Sequence, residues 1–324
     1  MLPDDVKAVI YSVKGCALSD DERSFFQKAS PLGFILFARN CETHAQLMKL
    51  VEDLRCCVGW HCPVLIDQEG GRVQRLKPPV WRGYPSMQSF GARYESDEQG
   101  TLEDLRHIIL QLSSELVECG INVNCAPVLD VLIPESHDVI GDRAFSDKED
   151  IVSRLGLSAC RYFIKAGIVP VIKHIPGHGR ALVDSHKDLP VVDASYEELE
   201  RVDFEPFRFM AESDVSQSIW AMASHVVYNA IDPKHPASVS HKVIEDVIRA
   251  KIGFDGFLLS DDLDMQALEE YGDVAERTVR TLEAGCDAAL YCAGDLEIMK
   301  KLQKSVPNLT EKARKRLQNS YKIA

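Results

Sequence analysis

Eight short apolar runs, none longer than a strand and separated by stretches with helical spacing, constrain this chain more than any other feature. They are Ala8–Val13, Phe34–Phe37, Val64–Ile66, Ile121–Val123, Val169–Ile172, Ala221–Ala223, Phe257–Leu259 and Ala288–Tyr291. Most are rich in branched or aromatic residues, and Gly, Pro or polar residues bound them. A strand with one wet face alternates apolar and polar residues, whereas a strand covered on both faces reads as a continuous apolar run. The stretches between them are amphipathic: His44–Leu54, Leu102–Glu118, Glu149–Lys165, Tyr196–Glu212, His241–Arg249 and Val274–Ala284. Strand and helix in alternation predict a parallel α/β fold, and eight strands favour a closed barrel over an open sheet. A (β/α)8 barrel needs about 250 residues, so the 324 present allow for extra loops. The expectation is one TIM-type barrel domain over 1–324. A basic helix at about 309–322, carrying Lys312, Arg314, Lys315 and Arg316, should pack on it as a solvated cover.

The bulk numbers narrow the function. A formal charge of −13 argues against a non-specific nucleic-acid binder, which needs a basic face. It leaves room for an anionic small substrate, because a few cations in a pocket outweigh a distant acidic surface. The ten cysteines show no C-x-x-C spacing, Cys56 and Cys57 are adjacent, and Cys125, Cys160, Cys286 and Cys292 sit in apolar contexts. Such thiols behave as small buried hydrophobes, which points to a reducing compartment. The acidic start Met1-Leu2-Pro3-Asp4-Asp5 does not resemble a signal peptide, and no apolar run approaches the ~18 residues of a membrane span. The reading is a soluble, cytoplasmic, monomeric protein with no membrane or nucleic-acid partner.

Several runs lead into a polar residue: Asp67, Asn124, Lys173-His174, His225 and Asp261. In a barrel the C-terminal ends of the strands converge on one mouth, where chemistry is placed. The densest cluster is Lys173-His174-Ile175-Pro176-Gly177-His178-Gly179 followed by Asp184-Ser185-His186, read as leaving a strand and entering a loop. Asp184 can orient His186 and raise its proton affinity, and Gly177 and Gly179 would let the loop move; alone, the two residues read as ordinary loop polarity. Asp261 can attack an electrophilic carbon. Its neighbour Asp262 is a like charge, so their environments must differ, and Ser260 or Asp262 reads best as a helix cap. Together these suggest a nucleophilic carboxylate facing a mobile proton donor. His174, His178 and His186 with Asp184 also suggest a metal site, but their spacing matches no compact zinc pattern, so no metal is assigned. In Asp67-Gln68-Glu69-Gly70-Gly71-Arg72 the glycines allow a tight turn. Asp67 suits sugar hydroxyls, and Arg75 and Arg143 suit an anionic or amide oxygen, although either arginine alone reads as a surface ion pair.

These residues together resemble glycoside hydrolase family 3, in its bacterial β-N-acetylhexosaminidase branch. The resemblance runs from about residue 8 to 295. It is carried by Val247-Ile248-Arg249 through Gly256-Phe257-Leu258-Leu259-Ser260-Asp261, by Ile66–Leu76, by Ile140-Gly141-Asp142-Arg143-Ala144-Phe145, and by Lys173–Gly179 with Asp184-Ser185-His186. The cysteine-rich stretch Cys56–Cys62 is unusual but lies off these motifs. The resemblance implies a retaining glycosidase that needs no cofactor and removes terminal β-linked N-acetylglucosamine. It implies Asp261 as nucleophile, His186 as acid/base paired with Asp184, and Asp67, Arg75, Arg143, Lys173 and His174 as sugar-binding residues. The implied substrate is a recycled cell-wall muropeptide, N-acetylglucosamine on 1,6-anhydro-N-acetylmuramic acid. Phosphorolysis at the same site, a metal-dependent barrel hydrolase and a non-enzymatic sugar sensor are the competing readings.

Overall fold

In the computed structural model, which describes residues 2–133, 138–183 and 188–321, eight parallel strands close into a barrel. They are β1 (Lys7–Tyr11), β2 (Pro31–Leu36), β3 (Val64–Ile66), β4 (Val123–Asn124), β5 (Val169–Ile175), β6 (Trp220–Ala223), β7 (Phe257–Asp262) and β8 (Ala288–Tyr291). Each pairs with the next in sequence, and β8 returns to β1 with Val9 opposite Ala289. Every strand of the barrel overlaps one of the eight apolar runs. The burial explains why: β2 and β5 are buried at every position, since their outer faces meet helices and their inner faces fill the barrel.

The helices form where caps and apolar stripes agree. Helix His44–Val58 starts on a Thr43/Gln46 capping box and stops at Gly59, which adopts φ +74°. Helix Val274–Ala284 is bounded by Asp273 and Gly285 in the same manner. Helix Glu149–Lys165 buries Ile151, Val152, Leu155, Ala159 and Phe163, a stripe at helical spacing. Two expected helices differ in detail. The stretch from Tyr196 is interrupted: a wide-turn segment Leu199–Asp203 precedes helix Glu205–Ala211. Pro206 has no N–H to donate, and Phe204 N–H reaches back to Leu199 instead. The segment Lys242–Lys251 also has wide turns. Helices Asp20–Ala29, Gln88–Tyr94 and Leu296–Leu302 complete the pattern without having been anticipated.

Helix Glu311–Ser320 is held to the barrel by a buried guanidinium. Arg316 Nη1 lies 2.9 Å from Asp287 and Nη2 lies 2.6 Å from Asp255, while Trp220 Nε1 donates to Ser320 Oγ at 2.9 Å. Arg316 is therefore an internal strut, whereas the basic character of this helix suggested only solvated charge. All ten cysteines are free thiols. Among the described residues no helix is long and apolar enough to cross a membrane.

Candidate active site

The site is built from the ends of β3, β4, β5 and β7 and the loops beyond them. After β3 the chain turns through Gly70 and Gly71, with φ of +100° and +57°. A Cβ on Gly70 would stand 2.3 Å from the Pro85 carbonyl oxygen, so only glycine permits the approach. The turn folds Arg75 back so that Nη2 donates to Asp67 Oδ2 at 2.9 Å. Lys173, two strands along on β5, donates from Nζ to Asp67 Oδ1 at 2.9 Å and to Glu69 Oε1 at 2.6 Å. Arg143 forks onto Glu69 with Nε–Oε2 at 2.8 Å and Nη2–Oε1 at 2.9 Å. Burial alone would raise both carboxyls. The cations of Lys173 and Arg75 beside Asp67, and of Arg143 and Lys173 beside Glu69, overcome it and hold both below the usual carboxylate range. The row is therefore charged, paired and fixed in place before any ligand arrives.

Lys173 and His174 belong to β5 itself, which runs through to Ile175, so the chain stays a strand where a loop was expected. Their polar side chains are tolerated there because each has a partner. His174 Nδ1 lies 2.7 Å from Asp130 Oδ2, and the backbone N–H groups of His174 and His178 donate to Asp130 Oδ1 at 3.1 and 2.7 Å. The glycines that follow are not free hinges. A Cβ on Gly179 would lie 1.8 Å from the Val131 carbonyl oxygen, and one on Gly177 would lie 2.9 Å from Asp203 Cβ. Tyr228 donates to the Gly177 carbonyl at 2.7 Å, and Arg180 Nε pairs with Asp203 at 2.7 Å. These glycines serve close packing at the root of the loop. Asp184 and His186 fall outside the described residues.

At the end of β7, Asp261 and Asp262 meet different surroundings. Asp261 lines the cleft and accepts the Asp262 N–H at 2.8 Å. Asp262 Oδ1 accepts the N–H groups of Asp264 and Cys292, both at 3.1 Å, so it closes a turn and ties β7 to the end of β8. Burial pushes its carboxyl up to about 6. Ser260 accepts the Leu290 N–H at 3.0 Å. Both residues are structural, although they brace strand ends and cap no helix. Two of the polar residues expected at the mouth also turn elsewhere. Asn124 exchanges hydrogen bonds with the Gln68 backbone at 3.0 and 2.9 Å. His225 lies 2.6 Å from Ser238 Oγ and 2.9 Å from the Asp262 carbonyl oxygen. A polar residue after a strand thus has two fates, lining the mouth or bracing the backbone beneath it.

One cleft gathers Asp67, Arg75, Arg143, Lys173, His174 and Asp261, together with Phe37, Glu69, His178 and Asp262. Among the described residues no group of three or more His, Cys, Asp or Glu side chains could hold a metal ion; of the four residues considered for one, Asp184 and His186 lie outside that set. Sequence reasoning gave no role to Glu69 or Asp130. Glu69 lies in Asp67-Gln68-Glu69-Gly70-Gly71-Arg72, and the signal for it is that three cations, Arg75, Arg143 and Lys173, need a second anion besides Asp67. Asp130 followed Cys125-Ala126-Pro127 with nothing in its spacing to link it to His174. Phe37 ended an apolar run and read as core.

Comparison with known proteins bears on the fold and the family. The model of the glycosyl hydrolase family 3 N terminal domain matches residues 5–322. A beta-hexosaminidase of Nitrosomonas eutropha is 38% identical over 286 residues, covering 88% of this chain and 80% of that protein. One from Aromatoleum aromaticum is 33% identical over 96% of this chain and 86% of its own length. NagZ from Neisseria gonorrhoeae, crystallised in complex with N-trifluoroacetyl-D-glucosamine, superposes with a TM-score of 0.88 at 31% identity, covering 98% of this chain and 90% of that one. With a closed parallel barrel, a polar cleft at the strand ends and a family match spanning nearly its whole length, the chain belongs to glycosyl hydrolase family 3.

Proposed function

We propose that this protein is a retaining β-N-acetylhexosaminidase that removes terminal N-acetylglucosamine from 1,6-anhydro-N-acetylmuramic acid muropeptides during cell-wall recycling. The glycosidase class is supported by the family and by relatives named beta-hexosaminidase. The observation that carries the mechanism is the meeting, in one cleft, of Asp261 with Asp67, Arg75, Arg143, Lys173 and His174 from four separated segments of chain. Asp67, Arg75, Arg143, Lys173 and His174 hold the sugar by directed hydrogen bonds. Asp261 attacks the anomeric carbon as the glycosidic bond breaks, and His186 gives its proton to the departing oxygen. Water then attacks the same carbon, its proton passes to His186, and Asp261 leaves as a carboxylate. Retaining glycosidases usually use two carboxyl groups about 5–5.5 Å apart. An imidazole with a reference pKa of about 6.5, oriented by Asp184, can serve as acid and then base near neutral pH.

The test uses purified protein without added metal, an aryl β-N-acetylglucosaminide and the matching β-glucoside, with and without phosphate. Release from the N-acetyl substrate alone, lost in Asp261→Asn, is the expected result. His186→Ala should retain the first step on a good leaving group and lose it on a poor one. Equal losses on both would remove His186 from the acid role, and a sugar 1-phosphate product would make the enzyme a phosphorylase.

A further inference from the structure

The buried carboxylate of Asp130 does two things at once. One oxygen, Oδ1, accepts two backbone N–H groups, from His174 at 3.1 Å and His178 at 2.7 Å. The other, Oδ2, faces His174 Nδ1 at 2.7 Å. Asp130 has no exposed side-chain surface. Burial alone would push its carboxyl up, but His174 and the N–H groups donated to it hold it below the usual carboxylate range. It is therefore ionised across the neutral range and only accepts hydrogen bonds. The proton between the pair must sit on Nδ1, and Nε2 is the ring nitrogen left for the cleft that His174 lines.

The His178 ring lies 5.4 Å from that of His174, and burial, reinforced by His174, pushes its proton affinity down to about 4. Lys173, Arg75 and Arg143 bring positive charge to the same cleft, against Asp67, Glu69, Asp261 and Asp262.

We infer that Asp130 is a positioning residue that locks His174 in its Nδ1–H tautomer, so that the cleft presents an unprotonated Nε2 as an acceptor for a donating sugar hydroxyl. The hydroxyl assignment rests on the function proposed above; the tautomer does not. The geometry also dictates what an amide would do. In Asp130→Asn the two backbone N–H groups retain the amide oxygen at the Oδ1 position. The amide NH2 then faces His174 Nδ1, which must become an acceptor, and the proton moves to Nε2. The cleft would gain a donor where it had an acceptor, with no atom added or removed.

The experiment is 15N NMR of histidine-labelled protein, wild type and Asp130→Asn, with His174→Ala to assign the signal. Wild type should show Nδ1–H at His174 and the variant Nε2–H. Activity on the aryl β-N-acetylglucosaminide should fall about 10–100-fold in Asp130→Asn, by analogy with the loss seen when the partner behind a metal-bound imidazole is removed. A panel of 3-, 4- and 6-deoxy and fluoro substrates supplies a second readout. Fluorine accepts but cannot donate, so at one position the fluoro-to-deoxy rate ratio should rise in the variant, where Nε2–H can donate to it. An Nε2–H or doubly protonated ring in wild type, or an unchanged tautomer in the variant, overturns the inference. So does an unchanged ratio at all three positions in protein that cleaves the parent sugar. Wild-type protein that shows Nδ1–H yet cleaves no N-acetylglucosaminide would sink the functional reading and leave the positioning role standing.

Discussion

Lys173→Met tests the charge row most directly. Lys173 is 3% exposed and lies 2.9 Å from Asp67 and 2.6 Å from Glu69. At an effective dielectric of about 20, each contact is worth about 6 kcal/mol of gross attraction, and desolvating the ions takes back several kcal/mol apiece. Removing one partner of a buried pair leaves the other uncompensated and typically costs about 3–5 kcal/mol. Here Asp67 keeps Arg75 and Glu69 keeps Arg143, so the lower end, about 3 kcal/mol, is expected. Methionine preserves length and volume, which limits any packing change. Urea unfolding at pH 7, read as a shift in midpoint at constant slope, measures the loss. The pH dependence gives a second check. Asp67 and Glu69 have depressed folded values, so their contribution is complete above about pH 5. It is lost as pH falls through the unfolded values near 4 and on through the folded ones. The stability gap between wild type and variant should therefore narrow on acidification. A gap below about 1 kcal/mol at pH 7 would refute the reasoning about the row; a gap that does not change with pH would refute its electrostatic origin.

Three other outcomes follow from the same structure. Gly179→Ala places a Cβ 1.8 Å from a backbone oxygen, whereas Gly59→Ala meets nothing within 4 Å despite φ +74°. The first should cut kcat/KM more than about tenfold by displacing the loop root; the second should leave it unchanged and lose only about 1–2 kcal/mol of stability. Burial raises the Asp203 carboxyl to about 6 against the pull of Arg180. Its folded value exceeds the unfolded one, so its contribution falls as pH rises from about 4 to 6. Asp203→Asn should flatten the stability profile in that window, measured by thermal unfolding at stepped pH. Arg316→Met leaves the buried Asp287 with Arg249 as its remaining cation and should cost about 3 kcal/mol, the lower end for a broken buried pair. Steady-state kinetics should show KM unmoved, and a rise in KM would tie the terminal helix to the cleft.

The barrel was legible because a strand covered on both faces must be apolar throughout. β3 and β8 coincide with their apolar runs, and the other strands differ from theirs by a few residues at one or both ends. The end of β5 was illegible for the converse reason. Lys173 and His174 look like loop residues until Asp67, Glu69 and Asp130 are seen to compensate them. Gly177 and Gly179 invited a reading of mobility, since sequence carries glycine's freedom but not the backbone pressed against it.

Sequence alone determined the alternation of strand and helix, hence the closed barrel, and which residue types reach its C-terminal mouth. The fold decided which of them face the cleft. Asp67, Lys173, His174 and Asp261 line it, while Asn124 and His225 brace backbone. It also joined Glu69 to Arg143 and Asp130 to His174, pairs separated by 74 and 44 residues. Local patterning follows from neighbours a few residues away. Charge compensation depends on distances in space, and those exist only once the barrel has closed.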